Sequence, residues 1–525
     1  MSDLLREEMD AHRVAMQEAQ AAALSHRPTA MPAHPHGVQP EGTLLLSGAS
    51  AAAAAAATRR AGLGRFGLLS DATVLQICGA CAPEALLALC ATSDVFAAYA
   101  SSEELWRTAC AQRVGGAPVN FCGTWKRTYR ALGGRVAAPT PRAATRGVSV
   151  YSDALFLSHQ LTHGPNHFGA APRGPPITRI SRDAAVDVRA FAAEYEAGAG
   201  TPAIIESAAG STIGASSDAW DEAALRQTLG DRIFHAGGVN FRLSDYFDYA
   251  ATNDDDQPLY LFDPTFGASA PELLREYEPP PHFRDDLFAL LDGADRPDYR
   301  WLLIGGARSG QSWHKDPNMS SAWNLTLRGR KRWLFFPPHV TPPGVFPTST
   351  DGGHDYATPI ALAEWARDHY AEACRTPGFV EAETGPGDVT FVPRGWWHMV
   401  LNVAPLTVAV SHHFVSPAGL YTTLRLLRTT PHQVSGVDRG LTRDRGDDAG
   451  AMTAEEREAA DHARRTAAGV ALHDRLVAAL REKRPEVLEA AEATLAAEAA
   501  RRAPSALKRA VAPEEAAPSF AFGFG

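Results

Sequence analysis

His314 and Asp316 stand two residues apart in the stretch Gln311–Lys331, QSWHKDPNMSSAWNLTLRGRK, and His398 sits far downstream in PRGWWHMVLN. In an extended chain, residues i and i+2 face the same side, so one imidazole and one carboxylate converge on a point. Two imidazoles and a carboxylate on one face, with other positions left open, form the ligand set of non-heme Fe(II) sites that activate O₂. Lys315, between the two ligands, points the opposite way and is not expected to bind metal.

Strands must position these groups. From 300 to 416 the apolar segments are short and separated by Gly and Pro. They read as strands at Arg300–Ile304, Ser312–Asp316, Ala322–Leu327, Arg332–Phe336, Val380–Glu383, Val389–Val392, His398–Asn402 and Thr407–Phe414, with Ile360–Cys374 as a helical insertion. Such a series predicts a closed antiparallel sandwich or barrel. From 177 onward the chain adds an amphipathic helix (Val188, Phe191, Tyr195), a strand at Ala203–Glu206, a helix at Asp221–Leu229, a strand at Leu259–Phe262 and helical Asp285–Leu291. The class is α+β.

The flanks differ in character. Residues 1–24 have a short helical pattern (Leu4, Leu5, Met9, Met16), and residues up to 60 turn Pro/His-rich and then alanine-rich at Ala51–Ala57. With no core to build, 1–60 is expected to be a disordered or loosely helical lead-in. Residues 63–132 show helical spacing in three short blocks, with Ser70 or Asp71, Asp94 and Ser101/Ser102 as caps. Residues 133–175 read as a Gly/Pro/Arg/Ala linker with a docking segment at Tyr151–Leu157. After 417, residues 453–500 are long-helix material broken at Pro485. A stripe of Val470, Leu472, Leu476, Val477 and Leu480 would cap the barrel or make a homodimer. Residues 501–525 are expected to be disordered.

Composition narrows the partners. A net charge of −10 gives no global basic field for nucleic acid. No apolar run is long enough for a membrane span, and acidic residues at Asp3, Glu7, Glu8 and Asp10 argue against a signal or transit peptide. The six cysteines are sparse, and the Cys78/Cys81 pair has no second pair to complete a zinc site, so they read as small buried hydrophobes in a reducing compartment. An intracellular protein of the nucleus or cytoplasm is expected.

Residues 177–416 resemble a JmjC-domain 2-oxoglutarate oxygenase, a double-stranded β-helix (cupin-like jelly roll), of the Jumonji domain-containing protein-6 branch (arginine demethylase/lysyl hydroxylase). The resemblance rests on LYLFDPTFG (259–267), YRWLLIGGARSG (299–310), WHKDP (313–317), SAWNLTLRGRKRWLFFP (321–337), GPGDVTFVPRGWWHMVLN (385–402) and TVAVSHHF (407–414). It implies Fe(II) on His314, Asp316 and His398, with 2-oxoglutarate and O₂ as cosubstrates. It assigns Lys331 to the distal carboxylate of 2-oxoglutarate, with Tyr260 sharing it and Asn324, Gln311 and Ser411 beside it. A small residue at 316 would open a halide position, so Asp316 favours hydroxylation. Gln311 and Ser411 each replace a threonine, and the turn Val403–Leu406 is one residue longer. By alternation His413 faces the same way as Ser411, either toward the metal and substrate or as a hydrogen-bonded neighbour of the site.

Residues 63–132 resemble an F-box, with Pro83 before the second helix and a trailing Trp125, Lys126 and Tyr129. That resemblance implies docking of a Skp1-type ubiquitin-ligase adaptor. The expected substrates are protein lysyl or N-methylated arginyl and lysyl side chains, with Asp254–Asp256 either receiving the cation or forming a solvated loop. Hydroxylation yields hydroxylysine in one case and, in the other, a hemiaminal that collapses to formaldehyde. The competing readings are an F-box adaptor that uses the JmjC fold only for recognition, and an RNA hydroxylase, against which the acidic balance weighs.

Overall fold

The computed structural model describes residues 31–133, 149–164, 166–181, 187–206, 217–291, 293–347, 358, 360–437 and 453–502. The helical reading of 1–24 and the disordered reading of 503–525 lie outside these residues.

Fifteen strands are present among the described residues. Val38–Gln39 (β1) pairs in parallel with Val150–Tyr151 (β2). The others are Thr178–Ile180 (β3), Ala203–Ile205 (β4), Ile233–Ala236 (β5), Val239–Arg242 (β6), Leu261–Asp263 (β7), Arg300–Gly306 (β8), Gly310–His314 (β9), Ser321–Arg328 (β10), Lys331–Phe336 (β11), Val380–Thr384 (β12), Val389–Val392 (β13), Trp397–Asn402 (β14) and Leu406–Phe414 (β15). They form a nine-stranded sheet, β3-β4-β13-β10-β15-β8-β7-β5-β6, and a four-stranded sheet, β12-β11-β14-β9.

Period two explains why the two sheets close on each other. Along β11, Trp333 and Phe335 enter an interior cluster with Ile204, Ala322, Val392 and Val400, which joins both sheets. Leu334 and Phe336 face out against Trp313, Trp365 and Phe379. Along β10, Ala322 looks inward, while Trp323, Leu325 and Leu327 pack into the outer core with Phe391 and Phe414. Each large apolar side chain so buried contributes roughly 1.5–3 kcal/mol. All eight strands expected between 300 and 416 are present. The second ends at His314, yet Asp316 keeps an extended backbone (φ −67, ψ 145), so the i, i+2 geometry survives. Gly310 opens β9 because any Cβ there would meet the Val400 carbonyl oxygen at 2.0 Å.

Over residues 31–60 the lead-in takes the helical one of its two expected forms. It holds two helices, Gly42–Ser47 (α1) and Ala49–Leu63 (α2). The alanine run lies inside α2, where alanine's helix propensity is best used, and Val38 and Leu63 are buried in the core. Helices Asp71–Gly79 (α3), Pro83–Thr92 (α4), Asp94–Tyr99 (α5), Glu103–Val114 (α6) and Trp125–Leu132 (α7) follow. Ser70, Ser93 and Thr124 cap α3, α5 and α7 through their side chains. The expected docking segment is a strand-and-helix unit, β2 and Asp153–His163 (α8), capped by Ser152.

Asp255 joins this helical region to the jelly roll. It accepts from Trp125 Nε1 at 3.0 Å and from the Tyr249 hydroxyl at 2.6 Å, and Asp256 accepts from Ser158. The expected cation-receptor or solvated-loop character of Asp254–Asp256 does not extend to Asp255, which is buried and bonded, while Asp254 is exposed.

Helices Glu222–Leu229 (α9) and Leu243–Thr252 (α10) precede the insertion helix Leu362–Ala373 (α11). At the C-terminus, Leu420–Thr429 (α12) packs against Ala454–Lys483 (α13) and Pro485–Arg502 (α14). Leu472, Leu476, Val477 and Leu480 are buried against Leu287, Phe288, Leu420 and Leu424. The stripe thus caps the chain's own jelly roll. Val470 is not part of it, being 46% exposed.

Candidate active site

His314 on β9 and His398 on β14 are direct cross-strand partners, and their rings lie 3.9 Å apart. Asp316 Oδ1 stands 3.9 Å from His314 Nε2 and 3.5 Å from His398 Nε2. The tautomers follow from the neighbours. His314 Nδ1 lies 2.8 Å from the Ser312 carbonyl and His398 Nδ1 lies 3.2 Å from the Trp396 carbonyl. A carbonyl only accepts, so each Nδ1 carries the proton and each Nε2 lone pair is free. Burial, then His398, pushes His314 down to about 3, which keeps it neutral. Burial alone would raise the Asp316 carboxyl; His413, His398 and His314 around it hold it well below the usual carboxylate range.

Among the described residues, these three form the one cluster of His, Cys, Asp or Glu whose donor atoms lie close enough for a metal, all within 4.8 Å of one another. The Asp316 Oδ2 atom is buried without a hydrogen-bond partner. Two imidazoles, one ionised carboxylate and an orphaned oxygen on it fit a divalent iron. The six cysteines are free, and none joins a metal cluster among the described residues.

A cavity of about 320 Å³ runs from this cluster into the jelly roll. Tyr260, Gln311, Asn324, Lys331 and Ser411 all line it, so every residue expected at the site is gathered there. Asn324 and Ser411 are direct cross-strand partners on β10 and β15. Ser411 donates to the Trp323 carbonyl at 3.0 Å, while Asn324 Oδ1 is buried and unpartnered. Lys331 is 1% exposed and donates to the Tyr260 hydroxyl at 2.8 Å. Burial alone pushes its ammonium down to about 7, and no carboxylate pairs with it among the described residues. A buried cation without an acid is stabilised by an anionic ligand. Lys315 turns away, as expected, with Nζ 4.7 Å over the Trp397 ring.

The arginine-specific demethylase JMJ22 of Arabidopsis thaliana is 35% identical over 411 residues, covering 76% of this chain and 77% of that protein. This chain belongs to the JmjC family of cupin-like oxygenases. The cupin-like domain family matches residues 200–419. The bifunctional arginine demethylase and lysyl-hydroxylase psr-1 of Caenorhabditis briggsae is 38% identical over 195 residues, 36% of this chain and 48% of that protein. The 2-oxoglutarate and iron-dependent oxygenase JMJD4 of Homo sapiens is 30% identical over 150 residues, 28% of this chain and 35% of that protein.

Ser435 and Gly436 of this JmjC site fall in no motif, yet they line the cavity together with Phe262 and Trp301. Asn318 holds Ser435 by two bonds, accepting from its N–H at 3.0 Å and donating to its carbonyl at 2.9 Å. Asn318 adopts a left-handed backbone (φ 58) to do so, a conformation asparagine tolerates. Its position two residues after Asp316 is the one signal in the sequence; its partner lies 117 residues away.

Proposed function

We propose that this chain is an Fe(II)- and 2-oxoglutarate-dependent dioxygenase that hydroxylates protein side chains, as lysyl hydroxylation or as removal of N-methyl groups from arginine or lysine. One observation carries the reading. A single cavity holds two imidazole lone pairs and a carboxylate at one place and the acid-free Lys331 ammonium at another. His314, Asp316 and His398 are assigned to the metal. Lys331 with Tyr260 is assigned to the distal carboxylate of the cosubstrate, and Asn324, Gln311 and Ser411 to its flanks. The bound iron supplies O₂ activation coupled to decarboxylation of 2-oxoglutarate to succinate. The names of the relatives, arginine demethylase and lysyl hydroxylase, support a protein side chain as substrate. The six free cysteines support a reducing intracellular compartment.

The test is incubation of the purified chain with Fe(II), 2-oxoglutarate and a histone and peptide library, read by mass spectrometry. Succinate forms with wild type and is abolished in His314→Ala and Lys331→Ala. Absence of turnover on every substrate, together with tight binding of Skp1, would replace the enzyme by an adaptor.

Docking of a Skp1-type adaptor through residues 63–132 is a second reading that catalysis does not exclude. Phe66, Leu68 and Leu69, just before α3, are exposed apolar side chains, Leu68 by 79%. Such a patch favours a partner. Recovery of Skp1 and cullin by wild type but not by Leu68→Asp supports it; recovery by both sinks it.

A further inference from the structure

The sheet that carries Asn324 and Ser411 on its inner face holds a second cavity on its outer face. Along β15, Ser411 and His413 line the inner cavity, so His412 and Phe414 point outward. Register sets Arg300 of β8 and Trp323 of β10 on either side of His412. Residues between 274 and 299 fold over these side chains and enclose about 300 Å³.

The walls of this space are aromatic and cationic. Arg284, Arg296 and Arg300 line it against a single carboxylate, Asp286. Arg284 is occupied by Glu278 at 2.9 Å. Asp286 is occupied by Arg296 at 2.7 Å and by the N–H groups of Phe288 and Val415. Arg300 has no carboxylate partner among the described residues: its guanidinium lies 5.2 Å over the Tyr299 ring, and Tyr277 lines the same space. Tyr277 in turn is hydrogen-bonded to His412 Nε2 at 2.8 Å. Arg296 stacks on Tyr299 at 3.3 Å, and its Nε is buried with no hydrogen-bond partner. His412 adds no charge, because burial and then the two arginines push it well below its ordinary range.

A guanidinium without a carboxylate in a half-enclosed aromatic space is an uncompensated charge. A planar guanidinium matches carboxylate and phosphate oxygens by geometry as well as charge. We propose that this outer cavity binds a small anion, through a carboxylate or phosphate group held by Arg300, with the Arg296 guanidinium on the same wall. The site differs from the one assigned to 2-oxoglutarate: Lys331 of the four-stranded sheet serves the inner cavity and Arg300 of the nine-stranded sheet the outer one, with His413 lining both. Ser411 and His413 flank His412 in sequence, so one strand borders both ligands.

Calorimetric titration of the full chain with inorganic phosphate, and separately with malonate, tests the site and distinguishes the two anion sources. Saturable binding of at least one probe at millimolar concentration is expected. Arg300→Gln and Arg296→Gln should each weaken it roughly tenfold or more, while Lys331→Met leaves it unchanged. Circular-dichroism melts show whether each variant is folded, and Arg300→Lys, which keeps the charge but loses the fork, should fall between wild type and Arg300→Gln. Loss of binding in Lys331→Met with retention in Arg300→Gln would place the anion in the inner cavity and overturn the proposal. Absence of binding of both probes to wild type would overturn it too.

Discussion

His413 Nε2 lies 3.4 Å from Asp316 Oδ1, and the centroids of the Trp301 and His413 rings lie 4.2 Å apart. The side chain therefore packs on an aromatic ring while it meets the carboxylate assigned to iron. Groups that brace a ligating carboxylate set its orientation, and their loss typically costs 10–100-fold in metal affinity. His413→Ala should weaken Fe(II) binding by about tenfold, measured by anaerobic metal titration, with His413→Asn retaining more affinity because a polar group remains. Equal affinity in all three proteins would show that Asp316 needs no support from this side.

Lys331 links cosubstrate binding to pH. Its ammonium is pushed down to about 7 from an ordinary 10.5 by burial, while a bound carboxylate favours the charged form. Binding to the empty site thus takes up a proton above about pH 7, and the apparent KM for 2-oxoglutarate should rise as pH increases from there. Stability moves the other way. The unfolded chain holds this proton up to its ordinary value, so between about 7 and 10.5 the unfolded state binds more protons and stability rises with pH. Lys331→Met removes the burial cost, on the order of a few kcal/mol. It should melt higher than the ligand-free wild type near neutral pH while losing 2-oxoglutarate turnover; a lower melting temperature would contradict the account.

Glu103 gives the junction of the helical region and the jelly roll an opposite pH response. Its carboxylate accepts from the Trp125 N–H at 2.6 Å, beside the Trp125–Asp255 bond. Burial pushes it up to about 7 from 4.5. In that window the folded state binds more protons than the unfolded one, so stability is full at the acid end and falls as pH rises toward about 7. Denaturant unfolding should show a loss between those values on the order of 2 kcal/mol. Glu103→Gln, which keeps an acceptor without the charge, should flatten the curve. An unchanged pH profile in that variant would assign the effect elsewhere.

The site was legible where its residues sit on strands of strict period. His314 and Asp316 announce themselves by spacing, and β8 to β15 by short apolar runs between Gly and Pro. What escaped depends on pairs far apart in the chain. Asp255 looked like solvated acid until Trp125, 130 residues away, was placed on it. Asn318 and Ser435 are joined across 117 residues with no periodic trace. The alanine run of α2 looked coreless because its own residues bury little; the contacts that order the region come from Val38 and Leu63 at its margins. The hairpin β5–β6 had a readable signal, the Gly237-Gly238 turn, but its flanking runs are only four residues each.

Arg332 and Glu381 carry the remaining prediction. They lie diagonally on the neighbouring strands β11 and β12 of the four-stranded sheet, both almost fully buried, with Arg332 Nη2 3.1 Å from Glu381 Oε2. Tyr370 of α11 donates to Glu381 at 2.7 Å and accepts from Arg332 at 2.6 Å. Arg332 also donates to the carbonyls of Gly169 and Ala171. The network therefore pins α11 and the 169–174 segment onto the back of the strand whose other face presents Lys331. Breaking a buried pair strands the surviving charge, at roughly 3–5 kcal/mol. Glu381→Ala should lose about that much in chemical denaturation and raise the KM for 2-oxoglutarate by loosening β11. Replacing both partners together, as Arg332→Met with Glu381→Leu, leaves no stranded charge and should cost less than Glu381→Ala alone. A double variant less stable than the single one would mean that the bonds to Tyr370, Gly169 and Ala171, rather than the ion pair, hold this face together.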